Sequence, residues 1–486
     1  MDFFTHQRLE FNWPGKDGTL IPVEDGEYAY HPVAADDSRA QTIKSIKMAG
    51  HFGDSEGVTG ARENLLIVGD SGDVLRSLGA SPEYAAKYLG RVKLVYIDPP
   101  FNTGQAFEHY DDQMERSVWL TMMRDRIRSI KPLLAPDASV WVHLDDAEVH
   151  RMRLLLDEEF GSDRCASQVV WQKRTTRENR SAFSDNHDHL LVYTNCPVTQ
   201  WRDQRNRLSR TGAGKNPDGD PRGPWDSIPF TAQGFRPNQM YAITTPTGVL
   251  HEPPANRCWI AVRDEYERML ADGRVHFPRG GNGRPRIKQF ISEAPGLVPQ
   301  TIWLSAEVGS NDEAKREIQA LFPGISPFDT PKPERLLERV IHIATNPGDL
   351  VLDCFAGSGT TAAVAHKMGR RWIAVELRKA TAATFLIPRL RKVVLGQDLG
   401  GVTTSTERVA MKDLPEGMTP GQAQDFQSHL SRITKMVEGL DQATLRALKE
   451  ATQTRGETTV RWEGGGGFSV AVLRSAELSS GRTMVE

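Results

Sequence analysis

Leu94-Val95-Tyr96-Ile97-Asp98-Pro99-Pro100-Phe101-Asn102 decides how this chain reads. An apolar run with strand character meets two consecutive prolines, which have no N–H for a sheet ladder and a fixed φ. The strand therefore stops at Asp98, and a stiff loop follows. Proline carbonyls without neighbouring donors stay open to an incoming N–H. Asp98 adds a second acceptor and Phe101 a flat apolar face. Two acceptors beside a ring suit a planar heterocycle with an exocyclic amino group, each amino hydrogen meeting one oxygen while the ring stacks. The plainer alternative makes Asp98 a turn-forming carboxylate and the prolines a simple strand stop.

Working outward, short apolar runs alternate with helical spacing. Residues 64–68 read as a strand closed by Gly69-Asp70, 92–97 as a second and 139–144 as a third, with helical periodicity at 119–134. The texture returns at 349–353 and 372–377, separated by a glycine turn that opens a helix over 357–369. Such alternation predicts a parallel sheet with helices on its faces. Residues 165–328 are instead Gly- and Pro-rich, dotted with Arg and Trp, so the sheet is expected to be interrupted by an insertion. The expected sections are 1–62, 63–164, 165–328, 329–400 and 401–486. The last carries an amphipathic stretch with Phe426, Leu430, Ile433, Val437 and Leu440 on one face.

The glycine turn reads Asp353-Cys354-Phe355-Ala356-Gly357-Ser358-Gly359-Thr360-Thr361. Glycines let the backbone turn sharply and approach a ligand, and the helix start offers free N–H donors. Glu376 ends the next strand, where a carboxylate can accept from ribose hydroxyls. Gly357, Gly359 and Ala362 also satisfy G-x-G-x-x-G/A. Alone, the turn leaves a nicotinamide dinucleotide and S-adenosylmethionine both open.

Composition bounds the rest. At roughly 150 residues per domain, 486 residues imply two or three domains. With 38% hydrophobic and 25% charged residues, global disorder is excluded. No apolar run approaches the roughly twenty residues that cross a bilayer, and no secretory leader or membrane association is expected. The four cysteines are scattered without a CxxC pair, which excludes a zinc ribbon and fits a reducing cytoplasm. Net charge is −3, yet residues 171–222 hold ten Lys/Arg against six Asp/Glu. Lys173, Arg174, Arg177, Arg180, Arg205, Arg207 and Arg210, interleaved with Trp171, Trp201 and Trp225, are candidate nucleic-acid contacts; the alternative is a solvated arginine-rich surface. His143-Leu144-Asp145-Asp146-Ala147-Glu148-Val149-His150 reads as a strand end and helix start, with Asp146 as cap, and no metal is expected.

Taken together, Asp98-Pro99-Pro100-Phe101 and the turn at 353–361 resemble the catalytic and S-adenosylmethionine motifs of amino-methyltransferases acting on DNA. The catalytic motif comes first, an order similar to the β class and most like the modification subunits of type III restriction systems. Further similarity lies in Glu63-Asn64 to Asp70-Ser71, Thr330-Pro331-Lys332-Pro333-Glu334, Tyr241-Ala242-Ile243, Gly465-Gly466-Gly467-Phe468 and Trp13-Pro14-Gly15-Lys16. The family commonly has tyrosine where Phe101 stands; a phenyl ring keeps the stacking surface.

The resemblance implies a permuted Rossmann-like methyltransferase sheet with an inserted target-recognition domain and a small C-terminal domain. It further implies S-adenosylmethionine as cofactor, near Asp70, Lys332, Asp353, Phe355, Gly357, Ser358, Gly359, Thr360 and Glu376. Asp98 and the Pro99 carbonyl, with Pro100 and Phe101 completing the motif, would hold N6 of an adenine flipped from double-stranded DNA. Glu376 would hold the ribose, Asp70 would approach the cofactor's adenine, and Lys332 would neutralise its methionine carboxylate. Asp at 98 favours N6 of adenine, since family members acting on N4 of cytosine usually carry serine. A homodimer and a restriction helicase-nuclease partner are implied too; this chain has no Walker A motif, so ATP-driven translocation would be the partner's. The alternatives are a solitary N4-cytosine methyltransferase, a non-catalytic DNA-binding specificity subunit and a nicotinamide dehydrogenase. The last leaves the Asp-Pro-Pro-Phe loop unexplained.

Overall fold

The computed structural model describes residues 10–23, 28–54, 64–103, 114–178, 182–210, 216–415, 418–437 and 441–474. Ten strands form one mixed sheet: β1 (Ser45–Gly53), β2 (Asn64–Val68), β3 (Val92–Ile97), β4 (Leu134–Leu144), β5 (Cys165–Gln172), β6 (His187–Thr194), β7 (Ile302–Trp303), β8 (Leu350–Asp353), β9 (Arg371–Glu376) and β10 (Gly467–Arg474). Their spatial order is β7-β5-β6-β4-β3-β8-β9-β2-β10-β1. The six from β4 to β10 in that order pair in parallel. β6 is antiparallel to both neighbours, as β1 is to β10.

The apolar runs read from sequence form the centre of this sheet. Leu66, Ile67, Leu94, Val95, Ile97, Leu352, Ala374 and Val375 are completely buried, as strands covered on both faces must be. Helices α1 (Ser71–Ala80), α2 (Arg116–Ile130), α3 (Val149–Phe160), α4 (Glu334–Ala344) and α5 (Thr360–Lys367) provide much of the cover. From β3 the chain proceeds through α2 to β4 on one side, and from β8 through α5 to β9 on the other. β3 and β8 are neighbours, so the winding direction reverses between them. Such a switch point leaves a crevice outside the carboxyl ends of the strands.

The section boundaries differ from those expected. β5, β6 and β7 fall within 165–328 yet extend the large sheet beyond β4, and the second compact unit comprises 207–299 with 407–457. The terminal sections also give strands to the sheet, β1 and β10. β5 and β6 bury aromatic and branched residues among polar ones, which blurs the apolar run that marks a central parallel strand. The second unit has its own core, built on Phe230, Ile243, Trp259, Tyr266, Val275 and Ile287. Trp171, Trp201 and Trp225 are buried rather than offered to a nucleic acid. The expected amphipathic stretch forms a helix over Pro420–Met436 that buries Ala423 and Leu430 and leaves Ile433 exposed, as is Val437 just beyond it; Leu440 lies outside the described residues. Among the described residues, no helix is long and apolar enough to cross a membrane.

One buried ionic network braces the glycine turn. Lys367 Nζ pairs with Glu334 and Asp398, each at 2.8 Å, and Arg389 joins Glu334 at 2.8 Å while donating to Thr360 Oγ1. All four charged groups are almost fully enclosed, so deleting one leaves its partners uncompensated. Lys367→Met is expected to cost about 3–5 kcal/mol of unfolding free energy, measured by urea denaturation. An unchanged midpoint would show that the network does not brace the turn.

Candidate active site

The crevice at the switch point is a cleft lined by both motif loops. Asp98, Pro99, Pro100 and Phe101 leave the end of β3; Asp353, Phe355, Ala356, Gly357 and Ser358 leave the end of β8; Thr360 starts α5; Glu376 ends β9. Parallel pairing of β3 with β8 and of β8 with β9 brings these ends together.

The Asp-Pro-Pro-Phe loop is held from several sides. Trp119 Nε1 on α2 donates to the Pro100 carbonyl at 2.8 Å, which removes that oxygen from ligand duty. No donor among the described residues reaches the Pro99 carbonyl. Lys332 Nζ binds Asp98 Oδ2 at 2.5 Å and sits 5.2 Å from the Phe101 ring centre. Asp98 Oδ1 is buried and, among the described residues, has no hydrogen-bond partner. A buried carboxylate oxygen left bare is costly unless a ligand donor completes it.

Behind Phe101 lies a polar chain. His143 stacks on the Phe101 ring at 5.9 Å, Tyr96 Oη meets His143 Nδ1 at 2.7 Å, and His143 Nε2 meets Asp188 Oδ2 at 3.2 Å. Lys173 Nζ completes it on Asp188 Oδ1 at 2.7 Å. Burial, with the Lys332 cation nearby, holds the His143 pKa below its ordinary value, so the imidazole backs Phe101 as a neutral ring.

The glycine turn is shaped by close packing. Gly359 has φ 81°, and a Cβ there would come within 2.3 Å of Leu386 Cδ1. A Cβ on Gly357, φ 50°, would press on the Phe328 ring at 3.2 Å. Glu376 fastens the turn, accepting from Gly357 N at 2.8 Å and Arg378 N at 2.9 Å. Asp353 accepts from Phe355 N at 2.9 Å. Burial pushes both carboxyls up, each to about 7. Tyr28 stacks near Phe355, with ring centres 6.4 Å apart, and lines the same cleft. Cys354 is buried, and burial raises its thiol pKa far from a thiolate, which leaves it a packing residue.

Several sequence-based expectations change here. Asp70 does not line the cleft: it caps α1 through Asp73 N, and Tyr30 Oη and Arg126 Nη2 take its other oxygen at 2.9 and 2.7 Å. Lys332 lines the cleft but is committed to Asp98. Gly359 shapes the turn from outside the lining. Lys173 is buried on Asp188, and Arg210 is bound to Asp226 and the Pro295 carbonyl, so neither is a free surface cation. Arg177 and Arg207 are exposed, Arg174 and Arg205 half-buried, and Arg180 lies outside the described residues. Asp145, not Asp146, bonds the turn before α3, accepting from Ala147 N. Tyr28, Tyr96, Phe328, Arg378 and Thr381 were not among the expected lining residues. Tyr28 and Phe328 lie in stretches without periodicity; Tyr96 alternates with Asp98 along the strand, a spacing that was available as a signal.

The class of protein this defines is a doubly wound α/β ligand-binding enzyme with its site at the switch point. Residues 92–385 match the N6/N4 DNA methylase family model, and the chain belongs to that family. It is 31% identical over 338 residues to the type III restriction-modification enzyme StyLTI Mod subunit of Salmonella typhimurium, covering 62% of this chain and 49% of that one. It is 25% identical to the EcoP15I Mod subunit of Escherichia coli, over 66% and 59% of the two chains. The type II methyltransferase M.EcaI of Enterobacter cloacae is 23% identical over 88% of each. The chain thus spans about half the length of the StyLTI relative.

The raised carboxyls give a pH test. Between about pH 4.5 and 7 the folded chain keeps a proton on Glu376 that the unfolded chain has released, so stability falls as pH rises across that window. Asp353 acts in the same sense from its lower starting value of 3.8. Glu376→Gln is expected to make Tm fall less steeply with pH between about 5 and 7 than in the parent, read by calorimetry. A parent-like slope would contradict a proton-retaining Glu376.

Proposed function

We propose that this DNA methyltransferase modifies N6 of adenine, using S-adenosylmethionine, as the modification subunit of a type III restriction system. The observation that carries the reading is the bare Asp98 Oδ1 beside the open Pro99 carbonyl, in one cleft with the glycine turn. The residues present fit the cofactor: Glu376 keeps acceptor capacity for ribose hydroxyls, the turn backbone approaches without side chains, and Tyr28, Phe328 and Phe355 supply apolar walls. When bound, S-adenosylmethionine supplies a methyl carbon activated by a cationic sulfur.

The chain's own residues then do the following. Asp98 Oδ1 and the Pro99 carbonyl accept the two amino hydrogens of an extruded base, turning the nitrogen lone pair out of the ring plane. Phe101, backed by His143, stacks on that base. Lys332 fixes the Asp98 carboxylate, so that one oxygen faces the cleft. The amino nitrogen so held would be poised toward the methyl carbon that bound S-adenosylmethionine would supply, its surplus proton passing to Asp98 or to solvent, and no covalent enzyme intermediate is required. A carboxylate at 98, where cytosine-directed relatives usually carry serine, favours adenine.

The type III assignment rests on the two Mod relatives, over the part of each that the chain spans. Double-stranded DNA as substrate, a homodimer, a restriction helicase-nuclease partner and a cytoplasmic location follow from that reading. The test is expression in a host lacking DNA methylation, then nucleoside mass spectrometry and modification-sensitive sequencing. N6-methyladenine at one sequence motif is expected. N4-methylcytosine, or unmodified DNA from well-folded protein, would overturn the adenine reading.

A further inference from the structure

A second cluster is assembled by the fold away from the cleft lining. Residues two apart on a strand share a face, so His187 and His189 at the start of β6 point the same way. Facing them is Asp146, in the turn between β4 and α3. His189 Nε2 lies 2.9 Å from Asp146 Oδ1, and His187 Nε2 lies 3.7 Å from Asp146 Oδ2. One ligand atom from each of the three residues falls within 4.8 Å of the others. Four bonds of about 2.1 Å in a tetrahedron set neighbouring ligand atoms about 3.4 Å apart, between the two observed separations.

We propose that Asp146, His187 and His189 bind a divalent transition-metal ion, with solvent completing its coordination. Two imidazoles and one carboxylate select Zn²⁺, Co²⁺ or Ni²⁺ over Mg²⁺ and Ca²⁺, which prefer all-oxygen sets. The degree of enclosure fits this: the His189 side chain is 10% exposed, His187 35% and Asp146 63%, so one ligand is enclosed and the site opens to water on the other two. Gln168 on the adjacent β5 holds His189 Nδ1 at 3.1 Å, the outer contact that orients a ligating imidazole. With the Gln168 amide turned so that its oxygen accepts from Nδ1–H, His189 Nε2 carries its lone pair toward the ion.

The ion would tie the turn before α3 to β6. That turn also carries Glu148, whose Oε1 accepts from Asn102 Nδ2 at 3.0 Å, directly after the Asp-Pro-Pro-Phe loop. Asn102 has φ 60°, a left-handed conformation that needs such anchoring. The cation is thereby assigned a positioning part in holding the end of that loop, while the binding claim itself is independent of which base is methylated.

The segments 143–150 and 187–189 lie far apart in the chain, so the ligand set could not be read from either alone. The test uses the full chain stripped with EDTA and desalted, titrated with Co²⁺ under visible spectroscopy and then with Zn²⁺. One equivalent of Co²⁺ is expected to develop d–d absorption that Zn²⁺ bleaches and excess Mg²⁺ does not. His187→Ala and Asp146→Asn, both at partly exposed positions, are each expected to weaken binding about tenfold or more. Zn²⁺ is expected to raise Tm in the parent and leave it unmoved in His189→Ala. Absence of a one-equivalent Co²⁺ signal, or parental affinity in folded His187→Ala and Asp146→Asn, would overturn the site.

Discussion

One ion pair across the switch point organises the cleft. Lys332 comes from the segment leading into α4 and Asp98 from the end of β3, and their contact at 2.5 Å joins the two chain halves that the permuted order separates. It also divides the labour within one carboxylate. Oδ2 is satisfied by an ammonium, whereas Oδ1 stays buried and unmet by any of the described residues. The desolvation that this oxygen suffers in the free enzyme is relieved when an amino hydrogen arrives, so the pair biases the cleft toward a ligand that donates. The adjacent prolines extend the same logic: Pro100 has its acceptor filled by Trp119, and the Pro99 acceptor is left open.

The rest of the molecule keeps that pair in place. α2 fixes the catalytic loop through Trp119, and the N-terminal residues grip α2 in turn, Trp13 donating to Thr121 at 2.9 Å and Arg124 to the Gly18 carbonyl at 2.5 Å. On the cofactor side, the Glu334–Lys367–Asp398–Arg389 network reaches Thr360 at the head of α5. Both loops therefore stand on buried polar supports, and Asp98 Oδ1 is the bare buried carboxylate oxygen among the described residues that line the cleft.

Much of this was legible in the sequence because the central strands are nearly continuous apolar runs and the two loops carry residues with few structural alternatives. Consecutive prolines after a strand, and glycines before a helix, constrain the backbone whatever surrounds them. What was not legible depends on pairing. Asp70 looks like a ligand-facing acid at a strand end, but Tyr30 and Arg126, from elements distant in the chain, occupy it. Lys173 looks like a phosphate contact until Asp188 on the neighbouring strand is placed beside it. Tyr28 sits in a stretch with no periodicity, and nothing local marks it as a wall of the cleft. The outer strands β5 and β6 fall inside the expected insertion because polar residues, Gln168 and Gln172 in β5 and His187, Asp188 and His189 in β6, shorten their apolar runs.

The most direct measurement replaces Asp98 with asparagine, which preserves shape while exchanging one acceptor for a donor. Single-turnover methyl transfer and S-adenosylmethionine affinity are read on the same preparation. Transfer reduced by about a hundredfold or more, with cofactor affinity within a few-fold of the parent, is the predicted result. Parental transfer by Asp98→Asn would contradict a cleft whose acceptor oxygens hold the reacting amino group.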